Sequence, residues 1–281
     1  MIRPLQPDDA DGLVQVQHRA FSDLDRRTGR PVHELTAEVT ARSIARIRHL
    51  QRTDPAGAWA VEVDGALAGC SLALVREGMW FLSLLVVDPA HQGRGLGRLL
   101  LEAALRTATD RSWLLSTVDP RALRRYRLAG FDLHPALAAT GPVDRSLLRA
   151  VGGVREGSWD ADGEFADQIT RGLRGAGLGP ELTLFKERGH RLLVAPDQGY
   201  AVLRADGVSS LAATTTGAAQ RLLGAALAEA TQPVEVSWLT VDQQWAVDGC
   251  LDAGLILAGG STVCLRGQAP MSPYLPSGGF G

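Results

Sequence analysis

The stretch from Phe81 to Leu105 decides the fold of this chain, and it reads FLSLLVVDPAHQGRGLGRLLLEAAL. An apolar strand, a glycine-rich loop and an apolar helix follow one another in it. Gly93, Gly95 and Gly97 remove side chains where backbone approaches a ligand closely. The helix that follows points its unpaired N–H groups and the positive end of its dipole into the same space. This order predicts a binding site for a phosphate or pyrophosphate group.

Length and composition narrow the class of protein. The chain has 281 residues, 45% of them hydrophobic, so two domains are expected. A net charge of −2 argues against nucleic acid as the main partner. The three cysteines are far apart and form no C-x-x-C pair, so neither a disulfide framework nor a metal site is predicted. No segment reaches about eighteen uninterrupted apolar residues and no apolar signal core opens the chain, which predicts a soluble, cytoplasmic protein without a membrane partner.

Helices and strands are predicted on both sides of the loop. Upstream, two helical patterns enclose a polar loop, and the three ranges are 7–21, 35–47 and 22–31. Three apolar runs follow, at 58–63, 66–75 and 79–87. They are joined at Asp64-Gly65 and Glu77-Gly78, which predicts an antiparallel meander. Downstream, a strand at 113–118 leads to a helix with Asp119 as N-cap and Gly130 at its end. Residues 140–162 are predicted to connect two domains.

Two phosphate-binding folds compete for the central segment. A dinucleotide-binding fold needs G-x-G-x-x-G directly after the strand, with an acidic residue about twenty positions later. Asp119 satisfies the second requirement. The first fails, because Arg98 occupies the position of the third glycine and residues 88–92 make the turn too long. The upstream meander also opposes a parallel sheet.

Residues 1–144 resemble the GNAT superfamily of acyl-CoA-dependent N-acyltransferases. The pyrophosphate motif of that family, Gln/Arg-x-x-Gly-x-Gly/Ala, is matched by Gln92, Gly95 and Gly97. A second feature, a tyrosine four residues before a Gly-Phe pair, is matched by Tyr126 and Gly130-Phe131. The resemblance implies acetyl-CoA as the cofactor, with its pantetheine arm along the strand and its pyrophosphate on the loop amides. The implied cofactor-binding residues are Leu85, Val86, Val87, Gln92, Gly93, Arg94, Gly95, Leu96, Gly97 and Arg98.

The resemblance also implies roles for residues outside the loop. Tyr126 would protonate the departing CoA thiolate, against the alternative that it only packs at a helix end. Asp119 stands where the family often has a cofactor-contacting asparagine, although its N-cap role alone explains it. The strand offers Phe81 and Ser83 where many members carry a general base. Glu77, just before the strand, is a candidate base acting through a water, and so are Glu62 and the carboxylates of the loop at 22–31. For each of them the alternative is a solvated turn or loop residue.

The second half of the sequence repeats the first in eroded form. Residues 217–227 align without gaps on 95–105, and Ala253-Gly254-Leu255 stands where Ala129-Gly130-Phe131 stood. Gln92 is replaced by Thr214, and Tyr126 by Cys250. Residues 145–281 are therefore predicted to form a degenerate GNAT-like domain. Its proline- and glycine-rich tail after Gly267 is expected either to cross a groove or to be a disordered end.

These observations predict an α/β (α+β) protein of two GNAT-like domains, each with a mostly antiparallel sheet flanked by helices. The expected activity is transfer of an acetyl group from acetyl-CoA to a primary amine of a small molecule or peptide, by direct attack. A non-catalytic acyl-CoA-binding protein is the alternative. A monomer and a homodimer are both compatible with the sequence.

Overall fold

Two successive runs of helices and strands, in the same order, make up the computed structural model, which describes residues 1–148, 151–204 and 207–281. The first repeat consists of β1 (Ile2–Pro4), α1 (Asp9–Thr28), α2 (Ala37–Thr53), β2 (Ala58–Val63), β3 (Ala66–Arg76), β4 (Met79–Val87), α3 (Leu96–Ala104), β5 (Arg111–Thr117), α4 (Pro120–Leu128) and β6 (Asp132–Gly141). The second repeat consists of β7 (Arg155–Gly157), α5 (Trp159–Arg174), α6 (Glu181–Glu187), β8 (Arg191–Ala195), β9 (Gly199–Arg204), β10 (Gly207–Ala213), α7 (Thr216–Ala228), β11 (Val234–Leu239), α8 (Gln244–Asp252) and β12 (Ile256–Arg266). A short strand, β13 (Tyr274–Leu275), follows the second repeat.

Contacts divide the chain into two compact units. Unit 1 contains Met1–Val75 and Trp80–Ser112, and unit 2 contains Arg76–Met79 and Trp113–Gly281. No helix among the described residues is long and apolar enough to cross a membrane.

Unit 1 is built on the predicted meander. Its strands lie in the order β1, β2, β3, β4, and β2 pairs antiparallel with β1 and β3. Asp64 and Gly65 both have positive φ, of 51° and 77°, as a two-residue hairpin turn requires. Leu100 of α3 is buried in a cluster with Val61, Ala68 and Val87. The helix after the loop is thus packed on the sheet, which fixes the direction of its N-terminus.

The polar loop predicted at residues 22–31 is wrong over most of its length, because α1 continues to Thr28. Leu24 is buried and extends the apolar face of the helix. Arg27 Nε donates to Asp23 Oδ2 at 2.8 Å, one helical turn away. Gly29, in the left-handed conformation, ends the helix.

Unit 2 contains two sheets. One has the order β5, β12, β6, β11, and the other β13, β10, β9, β8, β7. Strand β6 of the first repeat lies between two strands of the second and pairs antiparallel with both. The first repeat thus contributes a strand to a sheet of the second. The domain boundary at residue 144 stays a prediction.

The connection predicted at 140–162 is shorter than expected. Strand β6 extends to Gly141, β7 forms at Arg155–Gly157, and α5 begins at Trp159. Residues 149 and 150 of this segment lie outside the described part of the chain. The predicted irregular tail also contains strand β13, whose two residues are buried.

A buried ion pair joins the β3–β4 turn to α6 within unit 2. Arg76 Nη2 and Nε donate to the two carboxylate oxygens of Glu181, at 2.6 and 2.9 Å. The Glu181 side chain is 1% exposed and that of Arg76 10%. A bidentate pair at this depth offsets the cost of removing both charges from water only while both partners are present.

We expect the single substitution Arg76→Met to reduce the free energy of unfolding by about 3–5 kcal/mol, because it leaves the Glu181 carboxylate buried without its cation. The double substitution Arg76→Met/Glu181→Leu should recover most of that loss. Urea unfolding monitored by circular dichroism measures both. The exposed pair Arg127–Asp132 is the control, since Asp132→Asn should cost less than about 1 kcal/mol. Equal losses in the single and double variants would contradict this assignment.

Candidate functional site

The glycine-rich loop leaves β4 through a fixed connection. Asp88 Oδ1 accepts a hydrogen bond from the Ala90 amide at 3.0 Å and caps the single turn Pro89–His91. Arg19 Nε of α1 donates to Asp88 Oδ2 at 2.8 Å. Burial alone would raise the pKa of Asp88, but the bonds from Arg19 and Ala90 outweigh it and lower that pKa. Asp88 is therefore a carboxylate that sets where the loop begins.

Gln92 ties the loop back to the end of the strand. Its Nε2 donates to the carbonyl oxygen of Val87 at 2.9 Å. Val86 and Val87 are buried and Leu85 is half-buried, so the last three residues of β4 are anchored in the sheet. The motif glutamine thus has a structural partner within unit 1: it holds the strand end and the loop together.

Two of the loop glycines are required by backbone conformation. Gly93 and Gly95 have φ of 79° and 82°, in the left-handed region. A Cβ added to either would meet no atom within 4 Å, so the space before this backbone is open. Gly97 has an ordinary helical conformation, and a Cβ there would make a normal contact with Val87 Cγ2 at 3.7 Å. Conformation, rather than crowding, explains glycine at positions 93 and 95.

The backbone N–H groups of Gly93, Arg94, Gly95, Leu96 and Gly97 donate to no acceptor among the residues that the structure describes. Gly95 is the N-cap of α3, so this run of donors ends at the positive end of a helix dipole. The resemblance implied cofactor contacts as far as Arg98. Instead, the Arg98 amide donates to Gly95 O at 2.9 Å and closes the first turn of α3. Consecutive amides without acceptors form a site for a multiply charged anion.

Arg94 and Arg98 are both exposed beside these amides. Arg98 lies 3.7 Å from Glu102 in an ion pair whose side chains are 62% and 57% exposed. Such a pair is weak in water, so an incoming phosphate can compete with Glu102 for the guanidinium. Arg94 makes no ion pair with any described residue.

Asp119, in unit 2, has the N-cap role that the sequence predicted. Its Oδ1 accepts from the Arg121 amide at 2.9 Å, and its Oδ2 accepts from Arg121 Nη2 at 2.8 Å. The carboxylate starts α4 and neutralises a neighbouring cation. A cofactor contact by Asp119 stays a prediction.

Tyr126 lies on the buried face of α4, 5% exposed. Its ring packs edge-to-face on Phe131, with centroids 6.5 Å apart. The spacing of the tyrosine and the Gly-Phe pair in the sequence thus brings the two rings into contact. Burial raises the pKa of the Tyr126 phenol above its ordinary value. The hydroxyl makes no hydrogen bond with any residue in the described part of the chain. Tyr126 is thus a protonated phenol with a free donor, as an acid for a thiolate must be.

Glu77, the candidate base, is held in unit 2 by cations and an amide. Its carboxylate accepts from Arg171 Nε and Nη2, both at 2.8 Å, and from the Gly177 amide at 3.3 Å. The hydrogen bonds from Arg171 lower the pKa of Glu77. A carboxylate with a lowered pKa and two guanidinium donors is a poor proton acceptor. This geometry opposes the base role predicted for Glu77 and gives it a structural one.

Sequence reasoning missed Arg19 and Asp88. Asp88 had a signal, since Asp-Pro at the end of a strand is an N-cap followed by proline at the first helical position. Arg19 had none, because its partner is 69 residues away.

Residues 20–131 match the profile of the acetyltransferase (GNAT) family. Streptothricin acetyltransferase from Streptomyces lavendulae is 37% identical to this chain over 81 residues, which are 26% of this chain and 42% of that protein. The chain thus covers less than half the length of this curated relative.

Solved structures share the fold along the whole chain. A proposed acetyltransferase from Pyrococcus horikoshii superposes with a TM-score of 0.75 at 16% identity, covering 100% of this chain and 95% of its own. A tandem GNAT protein from the clavulanic acid biosynthesis pathway superposes with a TM-score of 0.57 at 15% identity, covering 96% and 99%. A GCN5-related N-acetyltransferase from Sphaerobacter thermophilus gives 0.59 at 15% identity, covering 95% of each chain. At these identities the likeness concerns the fold.

We expect the double substitution Gly93→Ala/Gly95→Ala to weaken pyrophosphate binding about tenfold, or ~1.4 kcal/mol, because β-carbons strain the left-handed backbone and displace the free amides. Calorimetric titration with inorganic pyrophosphate measures the change. Gly29→Ala/Gly65→Ala is the matched control, since both glycines have φ near these values, 69° and 77°, and equally open surroundings. Equal affinities in the two double variants would remove the loop amides from the anion site.

Proposed function

We propose that this chain, whose residues 20–131 match the acetyltransferase (GNAT) family profile, transfers an acetyl group from acetyl-CoA to a primary amine. The observation that carries the proposal is the run of backbone amides from Gly93 to Gly97 that have no acceptor among the described residues. This run directly follows Gln92, the first residue of the family's motif, in the sequence. Phosphate oxygens are acceptors of the required charge and number. The exposed Arg94 and Arg98 add cations at the same loop.

The residues of the chain divide the work as the family pattern implies. Bound acetyl-CoA supplies the acetyl group as a thioester. The amides of residues 93–97 bind its pyrophosphate, and the backbone of Leu85–Val87 aligns its pantetheine arm and polarises the thioester carbonyl. With acetyl-CoA bound, the amine nitrogen would form a bond to the carbonyl carbon as the carbon–sulfur bond breaks. Tyr126 would donate its phenolic proton to the departing sulfur, the amine would lose a proton to water, and Tyr126 would regain a proton from water.

No protein base is required by this scheme. Strand β4 carries no carboxylate or imidazole, and Glu77 is engaged by Arg171. An amine that binds in its neutral form needs positioning rather than a strong base. This predicts that the rate rises with pH as the free amine loses its proton.

The acceptor proposed is a primary amine of a small molecule or peptide. The relative from Streptomyces lavendulae is named as a streptothricin acetyltransferase, so streptothricin is a rational first member of an acceptor panel. A second candidate function is binding of acyl-CoA without turnover. The same lack of a base on β4 favours it.

We expect Tyr126→Phe to lower kcat at least tenfold while leaving the affinity for acetyl-CoA unchanged, because only the donated proton is lost. Since burial raises the pKa of this phenol above its ordinary value of about 10, ionisation of Tyr126 should not reduce wild-type kcat below about pH 10. Release of free CoA thiol during turnover of an amine panel, with calorimetry for binding, measures both quantities.

Tyr200→Phe is the matched control in the second repeat. Tyr200 is buried, and its hydroxyl lies 2.6 Å from Thr170 Oγ1, so this variant should lose stability but not kcat. Binding of acetyl-CoA without turnover by wild type across the panel would support the non-catalytic alternative. Absence of binding would contradict both functions.

A further inference from the structure

Strand β10 takes the place in the second repeat that β4 takes in the first. Each strand precedes the helix that follows the loop, and each is the third strand of its meander. Counted from the strand ends, Leu211, Ala212 and Ala213 correspond to Leu85, Val86 and Val87. In the proposed function, Leu85, Val86 and Val87 bind the pantetheine arm of acetyl-CoA. Whether the second repeat can bind a cofactor in the same way therefore depends on what contacts residues 211–213.

The tail of the chain occupies these three residues. Strand β13 pairs antiparallel with β10, with Leu275 opposite Leu211 and Tyr274 opposite Ala212. The Ala213 amide donates to the carbonyl oxygen of Pro273 at 3.3 Å. Strand β9 pairs with the other edge of β10, and β11 belongs to the other sheet of unit 2. Both edges of β10 are thus taken by the chain itself.

Several contacts anchor the tail around this strand. Gln243 Nε2 donates to the carbonyl oxygen of Met271 at 2.6 Å, and Ser272 Oγ donates to Asp242 O at 2.7 Å. Phe280 is 3% exposed and packs edge-to-face on Phe185 at 5.9 Å. Tyr274 and Leu275 are 2% and 3% exposed. The tail is an integral part of the second repeat on both sides of β13.

The loop after β10 retains fewer free donors than the loop after β4. The Thr214 amide donates to Gln198 O at 2.7 Å, and the Ala218 amide donates to Thr215 Oγ1 at 3.2 Å. Thr215 therefore caps α7 with its own side chain, where Gly95 leaves the N-terminus of α3 open. A ligand phosphate would find part of this site already satisfied.

We propose that residues 273–275 replace the pantetheine arm of acyl-CoA in the second repeat, so that each chain binds one acyl-CoA, in the first repeat. This inference rests on the proposed function, because that function gives the end of β4 its pantetheine role. The tail supplies to β10 the backbone hydrogen bonds that a pantetheine amide would supply. The side chains of Tyr274 and Leu275 are buried beside the strand.

Calorimetric titration with acetyl-CoA tests the proposal through stoichiometry. Wild type should bind one equivalent, and Gly93→Ala/Gly95→Ala should bind that equivalent about tenfold more weakly. The full-length variant Tyr274→Gly/Leu275→Gly removes the buried tail side chains and loosens the strand, so a second, weaker equivalent should appear. Ala269→Gly/Pro270→Gly is the control, because it adds two glycines at exposed tail positions before β13 and should still bind one equivalent.

Each of the other outcomes would refute either the tail inference alone or the proposed function as well. Two equivalents in wild type, or one in a folded Tyr274→Gly/Leu275→Gly variant, would refute the tail inference and leave the proposed function standing. No binding by wild type would refute the proposed function and the inference with it. Should the tail variant unfold, hydrogen exchange in wild type decides: acetyl-CoA should slow exchange at 85–97 and leave 207–217 and 270–281 unchanged. A change in the last two segments would refute the proposal.

Discussion

The structure depends on where backbone N–H groups find their acceptors. Helices and sheets satisfy most of them internally, and a donor left over must meet water, a side chain or a ligand. In the first repeat, left-handed backbone at Gly93 and Gly95 aims a run of amides outward without an acceptor. In the second repeat, Thr215 caps the corresponding helix and the tail satisfies the corresponding strand. The same element order thus leaves a run of five amides without acceptors among the described residues in one repeat and fewer free donors in the other.

Most of the candidate side chains have structural partners of their own, each within its unit. Asp88 is fixed by Arg19, Gln92 binds the end of β4, and Asp119 caps α4. Tyr126 differs, since its hydroxyl keeps its proton and makes no hydrogen bond within the described residues. Chemistry on a thioester needs little more from the protein than backbone donors and one acid, provided the amine arrives neutral.

Local signals predicted much of this fold. Strands β2 and β4 have the predicted bounds, the Asp64-Gly65 hairpin formed, and Asp119 and Gly130 delimit α4. The glycine-rich loop and helix α3 could be predicted because they are contiguous in sequence. The end of α1 was misjudged because Leu24, beyond Phe21, is buried by the folded structure. The base role of Glu77 stays a prediction, which its bond to an arginine 94 residues away opposes. No local sequence pattern predicted that the tail pairs with β10. The two residues of β13 form a strand only because one edge of β10 is available for pairing.

Strand β6 constrains how this chain can be made and divided. It ends the first repeat, yet both its neighbours, β11 and β12, come from the second. During synthesis, the edges of β6 therefore stay uncovered until roughly the last half of the polypeptide has been made. A gene divided at the linker would produce two polypeptides, one with an uncovered strand and one lacking the strand that separates β11 from β12. The two repeats therefore share one sheet, and cutting the chain between them would uncover strands in both pieces.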